Sequence, residues 1–173
     1  KKITAAILVI GNEILSGRTK DQNVSYLASW LNNTLGIKLS EVRIIPDIEK
    51  KIIKSILALS KNYDYVLTTG GIGPTHDDIT SQSVSKAFKK KYTYHEEAYR
   101  ILKNYYGKKN FNDPRKKMAK MPKGAKLIYN PSSAAPGFII KNVICLPGVP
   151  SILQSMAINL KKYLKPGLKI HSL

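Results

Sequence analysis

Ile3-Thr4-Ala5-Ala6-Ile7-Leu8-Val9-Ile10, followed at once by Gly11-Asn12-Glu13-Ile14-Leu15-Ser16-Gly17, is the stretch on which the fold turns. Its first part is a nearly continuous apolar run, the pattern of a strand covered on both faces in a parallel sheet. A glycine directly after such a strand marks a loop at the strand's carboxyl end, the edge where open α/β sheets bind ligands. Working outward, Leu27, Leu31 and Leu35 recur at four-residue spacing, the stripe of an amphipathic helix that Gly36 is placed to end. Glu41 to Ile45 reads as a second strand, and Asp47 as the N-cap of a helix with Ile52, Ile53, Ile56 and Leu57 on its inner face. Asp64 to Thr69 is a third, short apolar strand that runs into Gly70-Gly71.

Further along, Asp77 or Asp78 is placed to open a helix through Val84 to Phe88, and a polar, tyrosine-rich helix is expected from His95 to Tyr106. Asn110 to Pro114 is turn chemistry, and Arg115 to Met121 reads as a short helix. Lys126 to Tyr129 and Phe138 to Leu146, the latter bent or split at Lys141-Asn142, read as strands flanking the loop Asn130 to Gly137. The last helix starts near Pro150, with Ile152, Met156, Leu160 and Tyr163 at helical spacing. Repeated β–α units with right-handed crossovers predict an α/β fold, a mostly parallel sheet with helices on both sides. One domain is expected over residues 1–164, with 165–173 as a C-terminal extension. Pro166-Gly167 and a strand-like start suggest that the native chain continues past Leu173.

Composition excludes some classes. A chain of 173 residues, 43% hydrophobic and 23% charged, is globular rather than disordered. No apolar run approaches the ~20 residues of a bilayer span, and Lys1-Lys2 leads into a strand without a small-residue cleavage site. Cys145, alone in Val143-Ile144-Cys145-Leu146, reads as a buried, reduced thiol, and the expected location is cytoplasmic. The formal charge of +18 invites a nucleic-acid reading. Yet only Arg18, Arg43, Arg100 and Arg115 are arginines and the other 25 of 29 basic residues are lysines, which suits a solvated surface better than bidentate phosphate recognition.

Three glycine loops follow strand ends: Gly11 to Gly17, Thr68 to Asp78, and Leu146-Pro147-Gly148-Val149-Pro150. Glycine lets an anion approach backbone amides closely, although tight β–α turns alone would also use it. Gly11, Asn12, Glu13, Thr69, Gly70, Gly71, Gly73, Pro74, Thr75, Pro147 and Gly148 are the expected phosphate-binding positions. Of only 11 acidic residues, Glu13, Asp21, Asp47, Asp77 and Asp78 fall in or near these loops. Carboxylates gathered at a ligand edge suit a hard divalent cation bridged to phosphates, with Asp77, Asp78 and Glu13 as metal ligands. Helix capping is the competing explanation for Asp47 and for one of Asp77 and Asp78. His76 reads equally as a solvent-facing turn residue. No Walker A sequence, dinucleotide fingerprint, zinc spacing or Ser-His-Asp arrangement is present, and His95 and His171 have no evident partners.

The string Thr69-Gly-Gly-Ile-Gly-Pro-Thr-His-Asp-Asp-Ile-Thr80 resembles the signature of the CinA-type branch of the MoaB/Mog molybdopterin-binding family. Gly11-Asn-Glu-Ile-Leu15 with Gly17, Asp21 and Asn23 resembles the opening motif of that branch. Asn130 with Ala135-Pro-Gly-Phe138, and Leu146-Pro-Gly-Val-Pro150, resemble its later loops, so the likeness covers almost the whole chain. The second loop is also similar to the N-terminal domain of eukaryotic FAD synthases. The resemblance implies a three-layer αβα fold with a pocket for a pterin phosphate or nucleotide, and molybdopterin as a possible ligand. It implies catalytic roles for Asp47 and Asp78, and hydrolysis of ADP-ribose- or FAD-like pyrophosphates with Mg²⁺, Mn²⁺ or Co²⁺. Homo-oligomers are expected by the same analogy.

Two departures stand out: Asn12 replaces an Asp common in the opening motif, and Ser133-Ala134 replaces a usual Gly-Thr, with Ser133 the phosphate-binding position that the resemblance implies in that loop. The amidohydrolase domain of full-length CinA proteins is not expected in this chain, so NMN deamidation is not transferred. The leading expectation is a metal-dependent nucleotide pyrophosphatase, the alternative a non-catalytic molybdopterin- or nucleotide-binding module. An RNA binder is the third reading. It rests on Lys89-Lys90-Lys91, Lys108-Lys109 and Arg115-Lys116-Lys117 interleaved with Tyr92, Tyr94, Tyr105, Tyr106 and Phe111.

Overall fold

A computed structural model describes residues 2–167. In chain order the elements begin with β1 (Thr4–Ile10), α1 (Asn12–Leu15), α2 (Asn23–Ser29), which runs on through a π-helical segment Trp30–Leu35, β2 (Lys38–Ile45), α3 (Glu49–Asn62), β3 (Tyr65–Thr69) and α4 (Thr80–Ala87). A lobe follows, made of β4 (Tyr92–Tyr94), α5 (Glu96–Tyr106), α6 (Asp113–Lys117) and β5 (Lys120–Pro122). The chain then returns to the main sheet with β6 (Lys126–Ile128), β7 (Gly137–Ile140) and β8 (Val143–Leu146), and closes with α7 (Pro150–Leu160) and a 3₁₀ turn, Lys161–Tyr163.

The main sheet has the order β2-β1-β3-β8-β7-β6. Strands β2, β1, β3 and β8 are parallel neighbours, while β7 and β6 join antiparallel, so the sheet is mostly parallel. The unbroken apolar run of β1 has its reason here. Ala6, Leu8 and Ile10 pack against Ile52, Ile56 and Leu59 of α3 and Val84 of α4. Ala5, Ile7 and Val9 face the opposite core with Leu27, Leu31 and Leu35 and with Leu153, Met156 and Leu160 of α7. Each of those leucines contributes about 1.5–3 kcal/mol on burial, and the result is a three-layer αβα sandwich. Gly36, at φ 65°, ends the π-helical segment in the left-handed region, as its position suggested. Cys145 is fully buried in β8, and burial pushes its thiol up to about 12. Among the described residues no helix is long and apolar enough to cross a membrane.

The structure corrects several boundaries. β2 starts at Lys38 rather than Glu41, with an extra residue, Ser40, at a register shift against β1. The stretch Phe138 to Leu146, expected to bend or split at Lys141-Asn142, does split there into a hairpin, with Lys141 at φ 52°. There the Asn142 amide donates to the carbonyls of Ser60 and Tyr63. The helix expected over Arg115–Met121 instead spans Asp113–Lys117, because Pro114 fits a first helical turn and Asn112 caps it by accepting the Arg115 N–H at 3.2 Å. Lys120–Pro122 pairs antiparallel with Tyr92–Tyr94, a long-range pairing that local periodicity does not reveal. His95 has a partner after all: its Nδ1 accepts the Ala98 N–H and caps α5. At the carboxyl end, the Gly167 N–H donates to the Leu35 carbonyl at 2.8 Å. The strand-like start expected after Gly167 lies outside the described residues.

Candidate functional site

The three glycine loops meet at the carboxyl ends of β1, β3 and β8. Two positions show why glycine is required there. Gly70 has φ 94°, and a Cβ on it would lie 2.3 Å from the Ile10 carbonyl oxygen. Gly71 has φ 77°, and its Cβ would lie 2.0 Å from Thr80 Oγ1, the hydroxyl that donates to the Gly70 carbonyl. The backbone of the second loop is thus pressed against β1 and against the start of α4. Gly148 sits on Gly70, and the Asn23 amide holds its carbonyl at 2.9 Å, fastening the third loop to the start of α2. Thr69 is buried at the end of β3, beneath this junction.

Two hollows open over the loops. One, of about 200 Å³, is polar and lined by Asn12, Glu13, Asp47, Thr75, Asp77 and Asp78, with Arg18 at its rim. The other is a cleft of about 560 Å³, within the range of small-molecule sites. Gly70, Gly71, Gly73 and Pro74 form one side of it and Pro147 and Gly148 another. Asn130 and Ser133, and Tyr106 and Met118 of the lobe, line it as well. Glu13, Gly71 and Asp78 belong to both hollows. Gly11 stands apart as a buried support: its N–H donates to the Ile45 carbonyl at 3.0 Å, and a Cβ on it would strike the Glu13 carboxylate.

The carboxylates are not helix caps. Helix α3 begins after Ile48 without a side-chain cap, and α4 begins at Thr80, also without one. Asp47 is drawn to the first loop instead. Its Oδ2 accepts the Asn12 N–H and the Asn12 Oδ1 accepts the Asp47 N–H, both at 3.2 Å. Burial pushes the Asp47 carboxyl above its usual range; the Asn12 N–H opposes this, while the charges of Glu13, Asp78 and Asp77 add to it. Asp78 closes its own loop: Oδ2 accepts the Thr75 N–H at 2.9 Å and the Thr75 hydroxyl at 2.7 Å. Its Oδ1 accepts no hydrogen bond among the described residues. Asp77 is exposed at the rim, as is His76. Asp21, one residue before the N-cap Gln22, accepts the Val24 N–H at 2.9 Å at the start of α2. Among the described residues, no three His, Cys, Asp or Glu side chains are set to hold a metal ion by themselves.

The lobe supplies what sequence reasoning missed. Tyr106 lines the cleft with the Arg115 guanidinium 4.3 Å from its ring centroid. The Lys117 ammonium donates to the Thr75 carbonyl. Both residues lay in the basic, aromatic runs that suggested RNA, and nothing in those runs pointed to the sheet edge. Phe111, from the same runs, is buried with its ring 4.9 Å from that of Tyr99. Asn130 is spent locally: its amide donates to Ser133 Oγ and the Ala135 carbonyl, and its Oδ1 accepts the Ser132 and Ser133 N–H groups. At Ala134, where glycine is absent, φ is 69°.

Comparison with known proteins follows the same lines. A family model described as a probable molybdopterin binding domain matches residues 6–169. A protein of Archaeoglobus fulgidus is 37% identical over 149 residues, 86% of this chain and 63% of its own length. A CinA-like protein of Fusobacterium nucleatum is 37% identical over 160 residues, 92% of this chain and 40% of its own. The chain therefore spans less than two thirds of these relatives. Among solved structures, CinA of unknown function from Thermoplasma acidophilum superposes with a TM-score of 0.88 at 31% identity, covering 94% of this chain and 98% of that one. MoaB from Thermus thermophilus shares the fold, with a TM-score of 0.61 at 15% identity over 94% and 91% of the two chains.

Proposed function

Because this chain belongs to the probable molybdopterin binding domain family, in its CinA-type branch, we propose that it is a metal-dependent hydrolase of nucleotide diphosphate bonds, acting on ADP-ribose- or FAD-like substrates. The observation that carries the reading is the adjacency of the two hollows across Glu13, Gly71 and Asp78. A diphosphate over the glycine loops has carboxylates on one side and room for its organic groups on the other. The donor set fits a divalent cation only if the ligand completes it. Asp78 keeps one oxygen free, with Asp77 and Glu13 nearby, and phosphate oxygens would supply the remaining ligands. Such a cation neutralises charge on the phosphates.

The chain's own groups do the rest. The second-loop backbone, rigid at Gly70 and Gly71, orients the diphosphate. A water attacks phosphorus, the bond to the bridging oxygen breaks, and the phosphate leaves as an anion. Asp47, with its raised carboxyl pKa, accepts the water's proton. A non-catalytic binder of molybdopterin or a nucleotide is the second reading. Asn12 favours it, since its amide oxygen is committed to the Asp47 N–H.

The test is release of AMP from ADP-ribose, FAD and NAD⁺ with Mg²⁺, Mn²⁺ or Co²⁺. Turnover with at least one pair is expected, falling about 10²–10³-fold in Asp78→Ala. Folded protein that turns over none of them rules out the hydrolase reading for these substrates and leaves the binding module.

A further inference from the structure

Among the hydrogen bonds of the described residues, one side chain links the lobe to the acidic loop. Lys117 ends α6, is half-buried, and places its ammonium on the Thr75 carbonyl. That carbonyl also accepts the Asp78 N–H at 3.1 Å, while the N–H and hydroxyl of Thr75 both hold Asp78 Oδ2. Every polar group of Thr75 is therefore committed either to Asp78 or to Lys117. The turn has little other support: Thr75, His76 and Asp77 are exposed, and the helix that follows, α4, begins only at Thr80. Without the ammonium, the Thr75 carbonyl loses its only contact with the lobe among the hydrogen bonds of the described residues. The carboxylate then depends on a four-residue turn open to water.

We propose that Lys117 is a positioning residue for Asp78. By clamping the Thr75 carbonyl it fixes the turn that leaves Asp78 Oδ1 free for the ligand, and it couples that turn to the lobe wall carrying Tyr106 and Met118. A charge-assisted bond is stronger than a neutral one, which suits a clamp on an exposed loop. The positive charge beside Asp77 and Asp78 also offsets the mutual repulsion of the carboxylates in the hollow, while burial and those two carboxylates act in opposite senses on the Lys117 amine itself. The catalytic part of this inference rests on the hydrolase reading; the structural part does not.

The experiment compares wild type, Lys117→Met and Lys117→Arg. It measures amide hydrogen exchange at Thr75 and Asp78, thermal melting, and kcat and KM with whichever of ADP-ribose, FAD or NAD⁺ the wild type hydrolyses. In Lys117→Met the two amides are expected to exchange about tenfold faster, while those of β1 and β3 and the melting temperature hold. kcat is expected to fall by up to ~100-fold from misplacement of Asp78, with KM little changed. Lys117→Arg should restore both protection and most of kcat. Unchanged exchange at Thr75 and Asp78 in folded Lys117→Met overturns the proposal whatever turnover does, and so does wild-type kcat in that variant. If wild type hydrolyses nothing, the hydrolase reading fails while exchange still decides the clamp. Should Lys117→Met not fold, Lys117→Gln makes the same comparison.

Discussion

The polar hollow and the apolar cleft share Glu13, Gly71 and Asp78, yet they draw on different parts of the chain. The hollow is built from the loops after β1, β2 and β3, all in the parallel half of the sheet. Its side chains are tied across those loops by reciprocal bonds such as the Asn12–Asp47 pair. The cleft adds the loop before β7, the loop after β8 and the lobe, which contributes Tyr106 and Met118. The contrast teaches a division of labour. Charge is handled where backbone and carboxylates are locked together, and shape is handled where separate pieces of chain come face to face. Chemistry should then depend on the first region and substrate preference on the second.

Gly70→Ala strains the loop that leads into Gly71, which both hollows share, and should have the largest effect. The left-handed φ alone costs about 1–3 kcal/mol for a side chain, and the Ile10 carbonyl leaves no space for a methyl group. At roughly 2–4 °C per kcal/mol for a chain of this size, melting should fall by several degrees and binding at both hollows should fail together. A Gly70→Ala protein with wild-type melting would break the claim that this loop is the shared scaffold.

Tyr106→Ala probes the cleft alone. Losing one aromatic wall should raise KM by about fivefold, the size of a ~1 kcal/mol stacking contact, and leave kcat nearly unchanged. A fall in kcat with constant KM would place Tyr106 with the chemistry and blur the division.

Asp47→Asn is the smallest effect on stability and the sharpest on sign. A carboxyl whose pKa is raised in the folded state binds protons more readily folded than unfolded, so its contribution to stability falls as pH rises from the unfolded pKa through the folded one. Above that window the ionised carboxylate destabilises the fold, and replacing it should raise the melting temperature slightly at neutral pH while abolishing turnover. The gain should vanish below the usual carboxylate range. Melting that drops at neutral pH would mean that the Asn12 bond outweighs burial and neighbouring charge.

What could be read from the sequence follows the same division. Apolar strands that end in glycine are local signals, and the loops at Gly11, Gly70 and Gly148 all lie where that pattern puts them. The carboxylates Glu13, Asp47, Asp77 and Asp78 were found by position, but their partners were not. Asp47 looks like a cap because nothing local shows that the Asn12 N–H, 35 residues earlier, takes its carboxylate. The lobe was the least legible part. Its strands are three residues long, too short for alternation to register, and β5 exists only because Tyr92–Tyr94 is there to pair with it. Lys117 and Tyr106 looked like members of a basic, aromatic surface because their destination is set by that pairing and by the packing of α5 and α6.

Whether the carboxylate hollow holds a cation only together with a ligand's phosphates is decided by titrating Mn²⁺ into the protein and following free Mn²⁺ by electron paramagnetic resonance, with and without ADP-ribose. No three carboxylates form a complete set among the described residues, so weak binding alone and clearly tighter binding with the diphosphate are expected, the gain disappearing in Asp78→Ala. Equal Mn²⁺ affinity with and without ADP-ribose, or a gain that survives Asp78→Ala, would mean that the hollow does not hold a cation jointly with the ligand's phosphates.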